Sequence, residues 1–259
     1  MQVLKLGGSV VTEKDKPFTP NTHAITRLAE EVAASTPGPL IIVHGGGSYG
    51  HPVAKEYEID GGYRSPSQLV GFSKTHQAMV QLNNIIVNSL LDAGVPAFSL
   101  SPSSFIVTKA KRITELNSAT VRRHVSAGVV PVLYGDAVLD TSQGFAILSG
   151  DQLTTRLALT LDAERMVLGS DVDGVYTADP KLVEEARLIP RLSLKELESM
   201  TELGEAISTD VTGGMLGKVR EAAEAVIAGV EVVIVNAGVA GRVGAALRGE
   251  RVIGTMLER

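Results

Sequence analysis

The chain has 259 residues, a formal net charge of −5, 27 glycines and no cysteine. This length suffices for one large α/β domain or two closely joined lobes and excludes a solitary small module. The acidic balance argues against an extended nucleic-acid footprint, and the lack of cysteine excludes disulfides, thiolate nucleophiles and sulfur-ligated metals.

Predicted strands and helices alternate through the first part of the chain. Pro52 suits the first position of a helix, so we place a helix start at this point, directly after a glycine-rich turn. The segment Ala137–Leu148, with polar residues at its centre, is typical of a β-hairpin. The hydrophobic pattern predicts strands at Gln2–Leu6, Leu40–Val43, Val95–Leu100 and Val129–Leu133, and helices at Asn21–Ala34, His51–Ile59, Ser67–Leu91 and Asn117–Ala127.

The second part of the chain continues the alternation. Ser193 and Glu196 have the spacing of a capping box, which marks the start of a helix. The pattern predicts strands at Arg165–Leu168, Val230–Val235 and Val252–Leu257, and helices at Gln152–Leu161, Ser193–Leu203, Gly217–Ala228 and Val243–Arg248. Alternating strands and helices indicate an α/β fold with a mainly parallel sheet.

The segment from His44 to His51 contains four glycines and connects a buried strand to a helix. Glycine permits backbone conformations closed to other residues and lets N–H groups approach a ligand closely, most often a phosphate. A tight turn without a ligand is the alternative interpretation. The histidines at both ends favour a binding site.

Two further segments have the composition of phosphate sites. Lys5 ends the first strand and is followed by Gly7, Gly8 and Ser9, which brings an ammonium group and backbone donors together. The segment from Gly213 to Lys218 has the same ingredients at the start of a helix. Taken alone, Lys5 could equally be a surface lysine before a loop. Three such segments in one chain suit substrates that carry several phosphates.

Other chemistries fit the motifs less well. Gly45, Gly47 and Gly50 match a dinucleotide-binding pattern, but a helix follows where that pattern requires a strand ending in an acidic residue. The segment Gly213–Lys218 is one residue too short for a P-loop, and Val219 replaces the required serine or threonine. No histidine pair has zinc-site spacing, and no hydrolase motif occurs.

The three glycine-containing segments together resemble the motifs of the amino-acid-kinase superfamily. Its members begin with K-x-G-G-S, continue with an apolar strand into H-G-x-G, and end the nucleotide lobe with G-M-x-x-K. The matching segments here are Lys5–Ser9, His44–Gly47 and Gly214–Lys218, with Ser170–Tyr176 as the nucleotide loop. The resemblance covers nearly the whole chain. It implies an open αβα sandwich with a mainly parallel central sheet, divided into an acceptor lobe (about 1–162) and a nucleotide lobe (about 163–259).

Within that superfamily the chain most resembles the isopentenyl phosphate kinases of the archaeal-type mevalonate route to isoprenoids. Lys14 occupies the place of their loop lysine, and His51 that of the histidine closing their glycine turn. Gly46 departs slightly, since related sequences often have alanine there. The resemblance implies a homodimer that transfers the γ-phosphoryl group of ATP to isopentenyl phosphate, with Mg²⁺ held mostly by phosphate oxygens and water rather than by protein ligands.

The resemblance also implies a role for individual residues. Lys14 would stabilise the transferring group, Asp151 would hold the ammonium groups of Lys5 and Lys218 in place, and His51 would donate a hydrogen bond to the acceptor phosphate. An alternative for Asp151 is the N-cap of the helix from Gln152. The residues expected to bind ATP are Lys5, Gly7, Gly8, Ser9, Gly47, Asp171, Tyr176, Gly213 and Lys218. Those expected to bind the acceptor phosphate are Gly46, Gly50, His51 and Gly150, and those expected around its apolar tail are Tyr63, Phe72, His76, Met79 and Ile86.

Two other functions stay open at this point. A sister kinase could phosphorylate another small phosphate or phosphonate, as UMP kinases and fosfomycin kinases do. A regulatory or storage protein could bind nucleotides on the same fold without turnover. The sequence has no signal-peptide profile and no apolar run of the ~18 residues that a spanning helix needs, so we expect a soluble cytoplasmic protein without nucleic-acid or membrane partners.

Overall fold

The computed structural model describes residues 1–35, 38–180, 182–199 and 213–259. The strands are β1 Gln2–Leu6, β2 Leu40–His44, β3 Ala97–Ser99, β4 Ile106–Lys109, β5 Arg112–Leu116, β6 Val130–Tyr134, β7 Asp136–Asp140, β8 Gly144–Leu148, β9 Arg165–Ser170, β10 Arg191–Ser193, β11 Glu231–Asn236 and β12 Gly254–Glu258. The helices are α1 Gly8–Val11, α2 Thr22–Ser35, α3 Gly47–Glu56, α4 Ser67–Asp92, α5 Ala119–Ser126, α6 Gly150–Thr160, the described part of α7 (194–199), α8 Gly213–Ile227 and α9 Arg242–Leu247.

One sheet of eight strands forms the centre of the molecule, in the order β10-β12-β11-β9-β1-β2-β6-β3. Strands β11, β9, β1, β2, β6 and β3 run parallel, whereas β12 pairs antiparallel with β11 and β10 follows β12. The prediction of a mainly parallel sheet is confirmed. Because β1 pairs with β2 on one side and β9 on the other, the sheet continues across the lobe boundary expected near residue 162.

Helices cover both faces of this sheet. Along the central strands, apolar side chains alternate between two cores, so that Leu4 and Val3 belong to opposite faces. One core contains apolar residues of α2, α4 and α9, and the other contains those of α5, α6 and α8. Such strands, buried on both sides, read as continuous apolar runs in the sequence. The arrangement is the three-layered αβα sandwich that was expected.

A second sheet of four strands, in the order β5-β4-β7-β8, packs beside α4 and α6. The hairpin predicted at Ala137–Leu148 is confirmed as β7 and β8, whereas β4 and β5 were not predicted. Their connecting residues Ala110 and Lys111 both have positive φ, 49° and 66°, without a glycine to signal the turn. The carboxylate of Asp140 holds this turn instead by accepting hydrogen bonds from both backbone N–H groups, at 3.2 and 2.8 Å.

The start of α3 differs from the prediction. The helix begins at Gly47, within the glycine-rich turn, and Pro52 lies inside it rather than at its first position. Proline is tolerated there because the carbonyl of Ser48, which the missing N–H of residue 52 would have bonded, accepts a hydrogen bond from Phe18 N at 3.0 Å.

The predicted capping box at α7 is confirmed. The backbone N–H of Glu196 donates to Ser193 Oγ at 3.2 Å, and Ser193 N–H donates to the Glu196 carboxylate at 2.8 Å. The predicted end of this helix at Leu203 lies outside the described residues. None of the helices described has both the length and the apolar character to cross a lipid bilayer.

Candidate active site

Loops at the carboxyl ends of the parallel strands surround one large pocket. The loops that follow β1, β2, β6 and β9 all contribute to its wall, and the pocket has a volume of about 770 Å³. In an open parallel sheet, this edge is where ligands bind. Helix α4, strand β8 and helix α8 close its sides. The volume lies in the range of pockets that hold small molecules and cofactors.

The two N-terminal glycine turns touch backbone to backbone. A Cβ atom on Gly8 would lie 2.4 Å from the backbone nitrogen of Gly47, and one on Gly45 would lie 2.7 Å from the nitrogen of Gly8. Gly47 also has a positive φ of 47°. These glycines are therefore required for the close approach of two loops, in addition to any contact with a ligand.

We call this close contact of the two glycine turns the interlock, and it leaves backbone N–H groups available in the pocket. Among the hydrogen bonds of the described residues, none uses the N–H groups of Gly8, Ser9, Gly46 or Gly47. All four belong to the first turns of α1 and α3 or to the residue before α3. The pocket thus presents the unpaired N–H groups of two helix N-termini, where an anion is stabilised by hydrogen bonds and by the helix dipole.

Lys5 and Lys218 meet at one carboxylate. Lys5 Nζ lies 2.7 Å and Lys218 Nζ 3.0 Å from Asp151 Oδ1. Burial lowers the pKa of Lys5 to about 8; Asp151 opposes this shift and Lys218 adds to it. Burial by itself would raise the pKa of Asp151, but the two ammonium groups hold it below its usual value. The pocket therefore contains two cations brought together by a single ionised carboxylate.

Asp151 does not cap its helix. Helix α6 begins at Gly150 with Ser149 as the N-cap, whose Oγ accepts a hydrogen bond from Asp151 N at 3.2 Å. The alternative interpretation of Asp151 as the N-cap is therefore wrong. The side chain of Asp151 instead contacts Lys5 and Lys218.

Two more candidates, Lys14 and His51, also line the pocket. Lys14 lies in the loop between α1 and α2, and His51 lies on α3. Partial burial, and to a smaller degree the positive charge of Lys5, lower the pKa of His51. The imidazole is therefore neutral at pH 7 before any substrate binds, and it can still donate one N–H hydrogen bond.

The histidine at the other end of the glycine segment has a different environment. The ring of His44 is fully buried, with Nε2 3.2 Å from Asn83 Oδ1 and Nδ1 3.1 Å from the carbonyl oxygen of Gly45. Burial lowers its pKa to about 4. His44 is thus a neutral residue that supports the end of β2.

The loop after β9 forms the opposite wall of the pocket with Asp171 and Tyr176. The carboxylate of Asp173, within this loop, fixes the conformation of the loop. It accepts hydrogen bonds from Asn236 Nδ2, at 3.0 Å, and from Arg242 Nη1. Burial raises the pKa of Asp173, but these contacts lower it overall. Gly213 begins α8, directly before the pocket residue Gly214.

The structure brings most of the predicted site residues together and leaves four of the tail candidates outside. Of the residues described, the pocket wall includes Met79 but not Tyr63, Phe72, His76 or Ile86. The predicted residues that line it are Lys5, Gly7, Gly8, Ser9, Lys14, Gly46, Gly47, Gly50, His51, Gly150, Asp151, Asp171, Tyr176 and Lys218.

The four other tail candidates have partners of their own. Tyr63 and Phe72 pack against Phe145, with ring centroids 6.0 and 5.1 Å apart. Ile86 belongs to the core under α4. His76 Nδ1 lies 3.0 Å from the buried carboxylate of Asp136, and this hydrogen bond raises the pKa of His76.

Sequence reasoning missed several wall residues on this side. Thr75 lies four positions before Met79 on α4 and shares its helical face, and Ile147 and Asp136 come from the hairpin strands β8 and β7. Helical spacing from Met79 could have identified Thr75. No local pattern reveals which strand of a second sheet packs beside that helix. The sequence alone therefore does not identify Ile147 and Asp136 as residues of the pocket wall.

Comparison with known proteins agrees with this geometry. The model of the amino acid kinase family matches residues 1–236. The chain is 44% identical to the isopentenyl phosphate kinase of Methanothermobacter thermautotrophicus, covering 99% of this chain and 98% of that protein. It is 34% identical to the isopentenyl phosphate kinase of Methanocaldococcus jannaschii, with 85% of each chain covered. A crystal structure of isopentenyl phosphate kinase superimposes with a TM-score of 0.87 at 40% identity over 99% of each chain. The expected superfamily and its fold are confirmed.

Proposed function

Since this chain belongs to the amino acid kinase family, we propose that it is an isopentenyl phosphate kinase, which transfers the γ-phosphoryl group of ATP to isopentenyl phosphate. Its likeness to the Methanothermobacter kinase over nearly the full length of both chains carries the proposal. The three lysines of the pocket wall, Lys5, Lys14 and Lys218, support it. The products are ADP and isopentenyl diphosphate, a precursor of isoprenoids made by the archaeal-type mevalonate pathway.

Charge repulsion is the first obstacle to this reaction, because both substrates are anions. Two unit charges ~5 Å apart repel by roughly 3 kcal/mol at an effective dielectric constant of about 20, and several such pairs meet when a monophosphate approaches ATP. Lys5 and Lys218 offset this repulsion at the ATP phosphates, and Asp151 keeps their ammonium groups side by side. Lys14 adds positive charge from the acceptor side.

The nucleotide occupies the half of the pocket formed by the loops after β1 and β9. The free N–H groups of Gly8 and Ser9 bind phosphate oxygens, as the first turn of a helix does. Other residues of this half shape the site around the rest of the nucleotide. They are Gly7, Asp171, Tyr176 and the start of α8 at Gly213.

The acceptor phosphate lies between α3 and α6. Gly46 and Gly47 offer N–H groups between the two phosphates, and Gly50 and Gly150 line the acceptor side. An ionised oxygen of the acceptor phosphate attacks the γ-phosphorus in line. The new P–O bond forms as the bond to the bridging oxygen of ADP breaks, and the electron pair leaves with ADP.

No general base is required, because the attacking oxygen carries no proton at neutral pH. His51 therefore serves as a hydrogen-bond donor to the acceptor phosphate rather than as a base. Its lowered pKa is consistent with a neutral donor in the free enzyme. A bound phosphate dianion raises the pKa of a neighbouring imidazole, so protonation would follow substrate binding.

The isopentenyl tail extends along the apolar wall made by Thr75, Met79 and Ile147. Tyr63 and Phe72 pack on Phe145 outside the pocket wall, so we assign them to a second layer, behind the residues that contact the tail.

Mg²⁺ accompanies ATP and supplies charge neutralisation at its phosphates. The described part of the chain includes no cluster of three or more histidine, aspartate or glutamate side chains that could hold a metal ion. One oxygen of the Asp151 carboxylate, Oδ1, contacts both lysines. We propose that phosphate oxygens and water, the usual ligands of nucleotide-bound Mg²⁺, would hold the ion.

An ADP-release assay over a panel of acceptors tests the proposal. The panel contains isopentenyl phosphate, dimethylallyl phosphate, fosfomycin, UMP, glutamate and carbamate, each with ATP and Mg²⁺. We expect the highest kcat/KM with isopentenyl phosphate. A preference for another phosphate or phosphonate would overturn the acceptor and keep the kinase, whereas ATP binding without turnover on any acceptor would identify a regulatory protein.

Three properties implied by the family resemblance remain predictions. They are a homodimer, the division into an acceptor lobe and a nucleotide lobe near residue 162, and a location in the cytoplasm. Light scattering during size-exclusion chromatography would measure the first.

A further inference from the structure

The loop that carries Lys14 has little regular structure of its own. It runs from the end of α1 to the start of α2, and hydrogen bonds from Glu13 N to the Thr19 carbonyl, at 2.9 Å, and from Asn21 N to the Val11 carbonyl, at 3.0 Å, close it on itself. Lys14 also has to be held at the pocket wall to act on a transferring phosphoryl group. Contacts between the loop and α3 fix its position relative to the pocket.

Ser48, in the first turn of α3, makes three hydrogen bonds with the loop. The backbone N–H of Ser48 donates to Thr12 Oγ1 at 3.0 Å, and the Ser48 carbonyl accepts from Phe18 N at 3.0 Å. Ser48 Oγ donates a longer hydrogen bond to the carbonyl of Thr19 at 3.4 Å. Ser48 thus holds the loop on both sides of Lys14.

Phe18 makes its hydrogen bond to the Ser48 carbonyl in a backbone conformation that is locally unfavourable. Phe18 has a φ of 52°, in the left-handed region that residues with a side chain avoid. Its ring packs edge-on against Tyr49, with centroids 5.6 Å apart. A conformation of this kind persists only when surrounding contacts fix it, and here the contacts come from Ser48 and Tyr49, adjacent residues of α3.

Pro52 explains why the Ser48 carbonyl is available. In a regular helix this carbonyl would accept the N–H of residue 52, but proline has no N–H, and its ring pushes the carbonyl four residues earlier away from the helix axis. The carbonyl is turned out to the N–H of Phe18. His51, the neighbour of Pro52, lies on the same helix and faces the pocket.

We propose that Pro52 is a positioning residue that fixes Lys14 relative to His51, by turning the carbonyl of Ser48 toward Phe18. The part that concerns Lys14 rests on the proposed kinase function. Pro52 itself lies in the pocket wall beside His51, and the role proposed for it is exerted through the Lys14 loop. Its position inside α3, rather than at the helix start, is what makes this link.

The test variant is Pro52→Ala, with Pro96→Ala as its matched control. Alanine restores an N–H at residue 52, which competes for the Ser48 carbonyl, and alanine favours the helix, so the variant is expected to fold. Pro96 is exposed and lies in the loop before β3, away from the pocket. Hydrogen exchange of the Phe18 amide in the full-length protein is the first measurement. We expect exchange at least tenfold faster in Pro52→Ala and unchanged in Pro96→Ala.

Kinetics of the same variants locate the effect. We expect Pro52→Ala to lower kcat about tenfold with little change in the KM for ATP. In a Lys14→Ala background the same substitution should cost less than twofold, because the lysine that it positions is gone.

Two results would overturn the inference: unchanged Phe18 exchange in Pro52→Ala, or a loss of kcat that is equally large with and without Lys14. A second variant addresses the other anchor, since Thr12→Val should also lower kcat and Thr12→Ser should restore it. If the wild-type protein phosphorylated no acceptor, the proposed function would fail, while the exchange measurement would still decide whether Pro52 holds Phe18.

Discussion

Replacing Asp151 by asparagine removes the charge that holds two lysines together. In the structure both Nζ atoms contact the same oxygen, at 2.7 and 3.0 Å, so they lie no more than about 6 Å apart. Asparagine keeps the shape of the side chain and can still accept a hydrogen bond. The substitution therefore isolates the effect of the carboxylate charge on Lys5 and Lys218.

The size of the effect follows from this distance. Two ammonium groups ~6 Å apart repel by about 3 kcal/mol at an effective dielectric constant of about 20. The carboxylate offsets at least this repulsion, and 1.36 kcal/mol corresponds to one pKa unit, so its loss should lower the pKa of Lys5 by about two units. Since the pKa of Lys5 is about 8 with Asp151 present, most Lys5 side chains would be neutral at pH 7 in the variant.

The assay is the pH dependence of kcat/KM for ATP, measured by ADP release, because this ratio reports the protonation of the free enzyme. Activity requires the charged Lys5, so it falls as pH rises through the pKa of this residue. We expect the alkaline limb near pH 8 in the wild type and about two units lower in Asp151→Asn, with about a tenfold loss at pH 7.

A control variant separates this effect from the loss of any lysine–aspartate pair. Asp60 lies 2.7 Å from Lys111 on the surface, and Asp60→Asn should leave the profile unchanged. An alkaline limb at the same pH in Asp151→Asn and in the wild type, with both proteins folded by circular dichroism, would refute the electrostatic reasoning.

Three further predictions follow from the same structure. His51→Ala should lower kcat/KM for isopentenyl phosphate by roughly 10- to 100-fold through loss of a hydrogen bond to a charged group, whereas His51→Gln should retain much more activity; near-wild-type activity of the alanine variant would exclude the donor role. Gly8→Ala places a Cβ 2.4 Å from the nitrogen of Gly47 and should lower the free energy of unfolding in urea by about 1–3 kcal/mol, and an unchanged midpoint would contradict the interlock. The pKa of His76 is raised in the folded protein by its hydrogen bond to Asp136, so this pair stabilises the fold fully below the unfolded pKa of 6.5 and ceases to do so as pH rises through the folded pKa. The stability lost in His76→Gln, about 1 kcal/mol at pH 5.5, should therefore disappear by pH 9, and a loss independent of pH would contradict the assignment.

The main sheet could be predicted from the sequence because its strands are short apolar runs between helices of clear periodicity. The four-stranded sheet was only half predictable. Strand β5 is polar and largely exposed, and its turn with β4 at Ala110 and Lys111 contains no glycine. Its conformation depends on Asp140, about 30 residues later in the chain, and a local pattern does not contain that contact.

The candidate site likewise has one part that could be predicted from the sequence and another part that could not. Lys5, the glycine turns and Lys218 belong to contiguous motifs, and the residue types in those motifs are sufficient to predict a phosphate site. The wall proposed for the tail consists of Thr75 and Met79 from α4 and Ile147 from β8, and it depends on how a helix packs on a second sheet. Phe72 and Thr75 lie on adjacent turns of α4, yet only Thr75 reaches the pocket, because Phe72 stacks on Phe145.

The order of the strands in the central sheet also bears on how the protein is made. Strand β9 follows its neighbour β1 about 160 residues later in the chain, and α8 with Lys218 follows later still. At the usual ~5–20 residues per second, translation takes roughly 10–30 s to supply β9. During this interval the edge of β1 that later pairs with β9 has no hydrogen-bonding partner. Lys5 has no carboxylate partner until Asp151 has been made. β2 pairs only with the other edge of β1, so the pocket between β1 and β9 is completed only after β9 and α8 have been made.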